Sequence, residues 1–114
     1  MLNNLKKELN SLGNKEKAKQ CLLFFKTGKG EYGEGDIFLG ITVPDQRKIA
    51  NKYIDINLDE LEKVVQSPIH EFRLTGFMLL VYMYERAKDV KLKKSYYDFY
   101  IKNIGFVNNW DLVD

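Results

Sequence analysis

Pro68-Ile69-His70-Glu71-Phe72-Arg73-Leu74-Thr75-Gly76-Phe77-Met78-Leu79-Leu80-Val81-Tyr82-Met83-Tyr84-Glu85-Arg86-Ala87 is the stretch on which the fold turns. Ile69, Phe72, Leu74, Phe77, Met78, Leu79, Leu80, Val81, Met83 and Tyr84 put apolar side chains on nearly every side of a helix over 68–87. A helix that is apolar all round has to be covered on several sides, so this one is predicted to be central. Ser67-Pro68 supplies a cap and a first-turn proline, and Arg86-Ala87-Lys88-Asp89 ends the run. His70, in the first turn, reads as an uncharged surface or half-buried residue.

Downstream, residues 90–104 carry Tyr96, Tyr97, Tyr100, Ile101 and Ile104 as one stripe, with Lys91, Lys93, Lys94 and Lys102 largely elsewhere and Gly105 as the stop. Tyrosines at that spacing read as core before they read as a base-stacking platform. Upstream, Asn57 and Glu60 have the spacing of a capping box for a short helix over 58–66 that buries Leu58, Leu61, Val64 and Val65. Before it, Pro44 opens a helix over 44–54, with Val43 held extended. Ile49, Tyr53 and Ile54 face inward there, and Arg47, Lys48 and Lys52 face outward.

At the N-terminus Leu2, Leu5, Leu9 and Leu12 recur at helical spacing over residues 2–12 and stop at Gly13. Asn14 then caps a second helix whose apolar side is Ala18, Cys21, Leu22, Phe24 and Phe25 and whose polar side is basic with Lys15, Lys17 and Lys19. Between this helix and Pro44, residues 27–42 hold five glycines, Gly28, Gly30, Gly33, Gly35 and Gly40. Gly28-Lys29-Gly30-Glu31-Tyr32-Gly33 matches G-x-G-x-x-G in form only. A helix precedes it where a phosphate cradle needs a strand, and Glu31, Glu34 and Asp36 would repel phosphate. The segment reads instead as an ordered connector, anchored by Tyr32, Phe38 and Leu39.

The six helices are joined by short turns, and 44–66 and 68–104 look like successive helical pairs. The predicted fold is therefore all-α, an α-solenoid of HEAT-like repeats with a superhelical course, rather than a closed bundle. A chain of 114 residues, 45% hydrophobic and 30% charged, is one domain's worth and has the composition of a soluble globular protein. The whole of 1–114 is expected to be a single helical domain. A net charge of +2 only weakly favours a polyanionic partner, so any nucleic-acid role rests on where the cations sit. One cysteine, Cys21, excludes an internal disulfide, and one histidine with no CxxC or HxxxH spacing argues against a metal site. No signal-peptide core and no membrane-length apolar run is present, which makes the cytoplasm the expected location.

The last residues, Asn108-Asn109-Trp110-Asp111-Leu112-Val113-Asp114, are the candidate site. Asn108 can cap a seventh helix and Asp111 can complete a capping box with it. Asp114 has no such duty and lies one turn beyond Trp110, on the same helical face. An indole beside a carboxylate suits a cation or a developing positive charge.

Three blocks together resemble the AlkD-type DNA alkylation repair proteins: the run from Tyr32-Gly33-Glu34-Gly35-Asp36 through Gly40-Ile41-Thr42-Val43-Pro44 to Ala50, then Glu71-Phe72-Arg73-Leu74-Thr75-Gly76, then Asn109-Trp110-Asp111-Leu112-Val113-Asp114. The resemblance implies a basic, concave DNA-binding face on HEAT-like repeats. It also implies an N-glycosylase that removes cationic N3- and N7-alkylated purines from double-stranded DNA without metal or cofactor. On that reading the aspartate ending W-D-x-V-D, Asp114, is catalytic and Trp110 contacts the substrate, while Arg47, Lys48 and Lys29 hold phosphates. Members of that family are about twice as long, so residues 1–114 are expected to be an N-terminal portion with little or no excision activity alone. The alternative from another class is a non-catalytic helical-repeat module that binds DNA or protein.

Overall fold

The computed structural model describes residues 1–24 and 37–106. These form six α-helices, α1 (Leu2–Ser11), α2 (Lys15–Phe24), α3 (Val43–Lys52), α4 (Leu58–Val65), α5 (His70–Arg86) and α6 (Val90–Asn103), followed by a 3-10 turn over Ile104–Phe106. Within the described residues the one β-type contact is an isolated parallel bridge between Ile37 and Ile69. The chain is all-α, as its periodicity predicts.

The apolar-all-round stretch does occupy the centre. In α5, Phe72, Leu74, Phe77, Leu79, Leu80 and Met83 are buried, and the helix packs against α1, α3, α4 and α6. Gly76 allows α4 to approach closely: a Cβ there would stand 2.7 Å from Val65 Cγ1 and 3.1 Å from Val64 Cγ1. Relieving such a clash means displacing the Val65 side chain or α4 itself, at a cost of about 1–3 kcal/mol. The helix starts at His70 rather than at Pro68. The bridge strand holds the intervening residues extended, because His70 N donates to Ile37 O at 2.8 Å and Ile37 N to Pro68 O at 3.3 Å. Ser67 still serves the entry, its Oγ accepting from Ile69 N at 3.1 Å. His70 is buried at 3% exposure against Phe38, with ring centroids 4.8 Å apart, and is not at the surface.

Helices α3–α4 and α5–α6 are the two pairs read from the sequence. Gln46 meets Thr75 near the start of each first helix, and Asp55 meets Arg86 at their ends, so α3 and α5 run in the same direction. Their second helices are clasped by a polar cluster. Lys102 Nζ lies 3.0 Å from Glu62 Oε2, and Gln66 Nε2 donates to Asn103 Oδ1 at 2.9 Å. Asn103 Nδ2 in turn donates to Phe99 O at 3.0 Å and to Glu62 Oε2 at 3.3 Å. Lys102, and secondly Asn103, hold the Glu62 carboxyl below its ordinary value.

The tyrosine stripe of α6 is turned relative to its predicted orientation. Phe99 and Asn103 form the buried face, Tyr96 and Tyr100 are half-buried beside it, and Tyr97, Ile101 and Ile104 are exposed. Asn103, satisfied on both its amide groups by α4 and its own helix, takes the inward position that a purely apolar pattern assigns to isoleucine. Of the predicted apolar side of α2, the described side chains are Ala18 and Cys21, which are half-buried, and Leu22, which is exposed, while those of Phe24 and Phe25 lie outside the description. The predicted capping box at α4 is present on one side, Glu60 N donating to Asn57 Oδ1 at 2.8 Å. The Glu60 carboxylate reaches back to the Asn57 side chain rather than its backbone, Oε1 accepting from Asn57 Nδ2 at 3.0 Å, while Oε2 accepts from Leu2 N at 2.8 Å and so ties α1 to α4.

α1 buries Leu5 and Leu9 completely and is also joined to α3 through Glu8, which receives a hydrogen bond from Lys52 Nζ. This bond is the main reason the Glu8 carboxyl lies below its usual value and the Lys52 ammonium above its own. Burial, and then Glu8, raise the Tyr53 phenol. The depressed Glu8 value contributes stability that is present above the unfolded carboxylate pKa and lost as pH falls through the folded value. The raised Lys52 and Tyr53 values contribute stability present below their unfolded pKa values and lost as pH rises through the folded ones. Attachment of α1 is accordingly strongest between the two limbs. Thermal midpoints followed from neutral pH into acid should fall less steeply in Glu8→Gln than in the unaltered chain, and equal acid slopes would remove Glu8 from the account.

Candidate functional site

The described candidate residues are Arg47 and Lys48, consecutive on α3, both exposed, and about 100° apart around the helix axis. Lys29, Trp110 and Asp114 lie outside the described residues, as do the predicted seventh helix and most of the glycine-rich connector. Among the described residues no group of three or more His, Cys, Asp or Glu side chains is placed to hold a metal ion, and no helix is long and apolar enough to cross a membrane.

Helix α3 is positioned by a carboxylate from the centre of the molecule. Glu71, 2% exposed, accepts from three successive backbone N–H groups: Leu39 N to Oε1 at 2.9 Å, Gly40 N to Oε2 at 2.8 Å and Ile41 N to Oε2 at 3.3 Å. Three donors converging on one side chain require a tight curl of the chain, and Gly40 supplies it with φ of +78°. A side chain at Gly40 would also collide with the α1–α2 turn, since a Cβ would stand 2.0 Å from Asn14 O. The same curl is held from that turn by Asn14 N, which donates to Leu39 O at 2.7 Å.

From this anchor α3 starts with a complete set of local signals. Thr42 is the N-cap, its side chain accepting from Asp45 N at 3.3 Å, and Pro44 sits in the first turn. Gln46, 2% exposed, donates its amide to Ile41 O at 3.0 Å and accepts from Thr75 Oγ1 at 3.2 Å. The residue before Arg47 is therefore fixed on both of its amide atoms, and Arg47 projects from a helix with little freedom to rotate. Lys48 shares the same helix. Lys52, one turn on, is turned away to Glu8.

Arg47 stands on the wall of a groove of about 840 Å³ that runs between α3, α5 and α6. Its floor includes Phe77 and Tyr100, whose rings meet edge to face at 6.1 Å. Tyr84 lies at the rim with Lys93 Nζ 4.4 Å from its ring centroid. Sequence reasoning did not single out Glu71, Gln46 or this groove. A carboxylate in the first turn of an otherwise apolar helix was the available signal for Glu71. Its partners, the N–H groups of a loop more than thirty residues upstream, leave no trace in side-chain patterning.

The sequence matches the family model described as DNA alkylation repair enzyme over residues 5–114. No curated protein and no solved structure gives a significant match.

Replacing Glu71 by Gln would turn an N–H₂ group toward backbone donors and leave at least one of them unsatisfied. Glu71→Gln should cost about 2–4 kcal/mol in chemical denaturation, with Leu39, Gly40 and Ile41 amides losing protection from hydrogen exchange ahead of those in α5. Unchanged protection at these three amides would show that the carboxylate does not hold the curl.

Proposed function

The chain belongs to the family of DNA alkylation repair enzymes, and on that premise we propose that it acts as a DNA N-glycosylase on cationic N3- and N7-alkylated purines. The family carries the coarser statement, a role in DNA repair. The finer reading is supported by one observation: the match runs through the Arg47-Lys48 helix and on to the closing Trp110-Asp111-Leu112-Val113-Asp114.

A purine alkylated at N3 or N7 already carries a positive charge. When its bond to the sugar breaks, the bonding pair moves to the base and neutralises it, so departure needs no general acid. The charge left behind develops on the sugar as an oxocarbenium ion. The Asp114 carboxylate is assigned to stabilise that ion and to orient the water that adds to it, and the Trp110 ring face to contact the cationic nucleotide. This chemistry calls for neither metal nor cofactor.

Arg47, Lys48 and Lys29 are assigned to phosphates of the duplex. Contacts of this kind fix register and orientation and carry no sequence information. A repair protein needs that property, because its lesion can stand in any sequence context. The anchoring of α3 through Glu71 and Gln46 supports the role of Arg47, since the backbone that carries it has little freedom left to lose on binding.

Two measurements test the reading. With protein in excess over methylated duplex DNA, where slow excision is still measurable, Asp114→Asn should lower 7-methylguanine release roughly 10²–10³-fold while duplex binding is retained. Equal release by both forms would exclude Asp114, and no release by either would favour a binding module without chemistry. Arg47→Ala should weaken binding to all duplex sequences alike and lower the salt dependence, the slope of log K against log salt, by about 0.9. A sequence-selective loss would mean that Arg47 reads bases.

A further inference from the structure

We propose that Glu8 withholds Lys52 from duplex DNA and so limits how tightly α3 grips undamaged duplex. The inference rests on the reading of Arg47 and Lys48 as phosphate contacts and adds a contact that restrains them. Gln46, Ile49, Ala50 and Tyr53 form the buried side of α3. At about 100° per residue Lys48 points away from that side, and Lys52, four residues on, shares its exposed face with a Cβ about 5–6 Å away. Helix α3 thus carries a third cation next to the two assigned to phosphates.

That third cation is already engaged. Neither Arg47 nor Lys48 has an ion-pair partner among the described residues, whereas Lys52 Nζ donates to Glu8 Oε1. The same ammonium lies 5.7 Å from the Tyr53 ring centroid. A fully exposed pair would yield readily to a competing anion. This one is anchored at its acidic end, where Glu8 is 31% exposed against 60% for Lys52 and stands next to the completely buried Leu9. The second oxygen of Glu8 is buried, and among the described residues Lys52 is its one ion-pair partner. A phosphate that drew Lys52 away would leave a half-buried carboxylate without its cation.

The result suits a protein whose lesion can stand in any sequence. Each further phosphate contact strengthens the hold on every stretch of duplex alike, and transfer along DNA depends on that hold staying loose.

Binding of the full chain to undamaged duplex, followed as log K against log salt, tests the proposal. Glu8→Gln should steepen the slope by about 0.9, so that its gain over the unaltered chain grows about 3.5-fold as salt falls from roughly 200 to 50 mM. Lys52→Met alone should leave the slope where it is, and in the Glu8→Gln background it should return the slope to that of the unaltered chain. Glu16→Gln, which removes the same charge from α2, should not steepen it, and far-UV circular dichroism should show equal helix content in all forms. A slope unmoved by Glu8→Gln, one lowered by Lys52→Met alone, one still steep in the double variant, or one steepened equally by Glu16→Gln would each overturn the proposal. If Arg47→Ala weakens binding in the same experiment, the failure is confined to Glu8 and Lys52. No duplex binding by any form would remove the phosphate reading as well.

Discussion

The arrangement of this molecule depends on a buried carboxylate that receives three consecutive backbone hydrogen bonds. Glu71 comes from the first turn of the central helix, and its acceptors close on Leu39, Gly40 and Ile41, at the end of the chain's glycine-rich connector. Those N–H groups are buried or partly so, and each would cost about 1–3 kcal/mol if left unsatisfied. The carboxylate satisfies all three and thereby determines where α3 begins. Gly40 is the necessary counterpart, since it alone in the curl has a positive φ and has backbone within 2.0 Å of where a Cβ would be.

Around that anchor, polar groups set the register between helices and apolar groups supply the burial. Gln46 with Thr75 fixes α3 against α5, while Asn103 with Gln66 and Glu62 fixes α6 against α4. Apolar contact is roughly non-directional, so leucines and valines alone would permit neighbouring helices to slide by a turn. Buried amides bonded on both atoms do not permit it, because a shift of one residue would leave them unpaired. The first helix of each pair thus runs parallel to the other, as stacked helical pairs require. Under the proposed role in duplex binding this rigidity has a purpose, because cations hold a duplex only where their spacing matches its phosphates.

Much of the helix layout was legible in the sequence because caps and breakers are local. Pro44 at α3 and Asn57 at α4 mark their helices in the sequence by chemistry within a few residues, and the caps that the structure adds, Thr42 at α3 and Asp89 at α6, act over the same short range. The centrality of α5 was legible from composition, since no helix so apolar can face water. Two features were not. The start of α5 moved to His70 because the pairing of Ile37 with Ile69 holds the chain extended, and that partner lies far upstream. The α6 face was turned because Asn103 is buried through bonds to α4, which no hydrophobic periodicity records.

The sequence by itself determined the all-helical class, the pairing of helices, the family and the residues to suspect: Arg47, Lys48 and Lys29 as cations, and Trp110 with Asp114 as the site. These rest on residue type and short spacing, which are properties of the chain. The tertiary structure decided which of the helical faces are covered, how α3 is held, and that an aromatic groove lies beside Arg47. Those depend on contacts between residues thirty or more positions apart, such as Glu71 with Gly40 and Glu62 with Asn103. Local pattern cannot specify them, because a buried hydrogen bond is defined by its partner as much as by the residue that makes it.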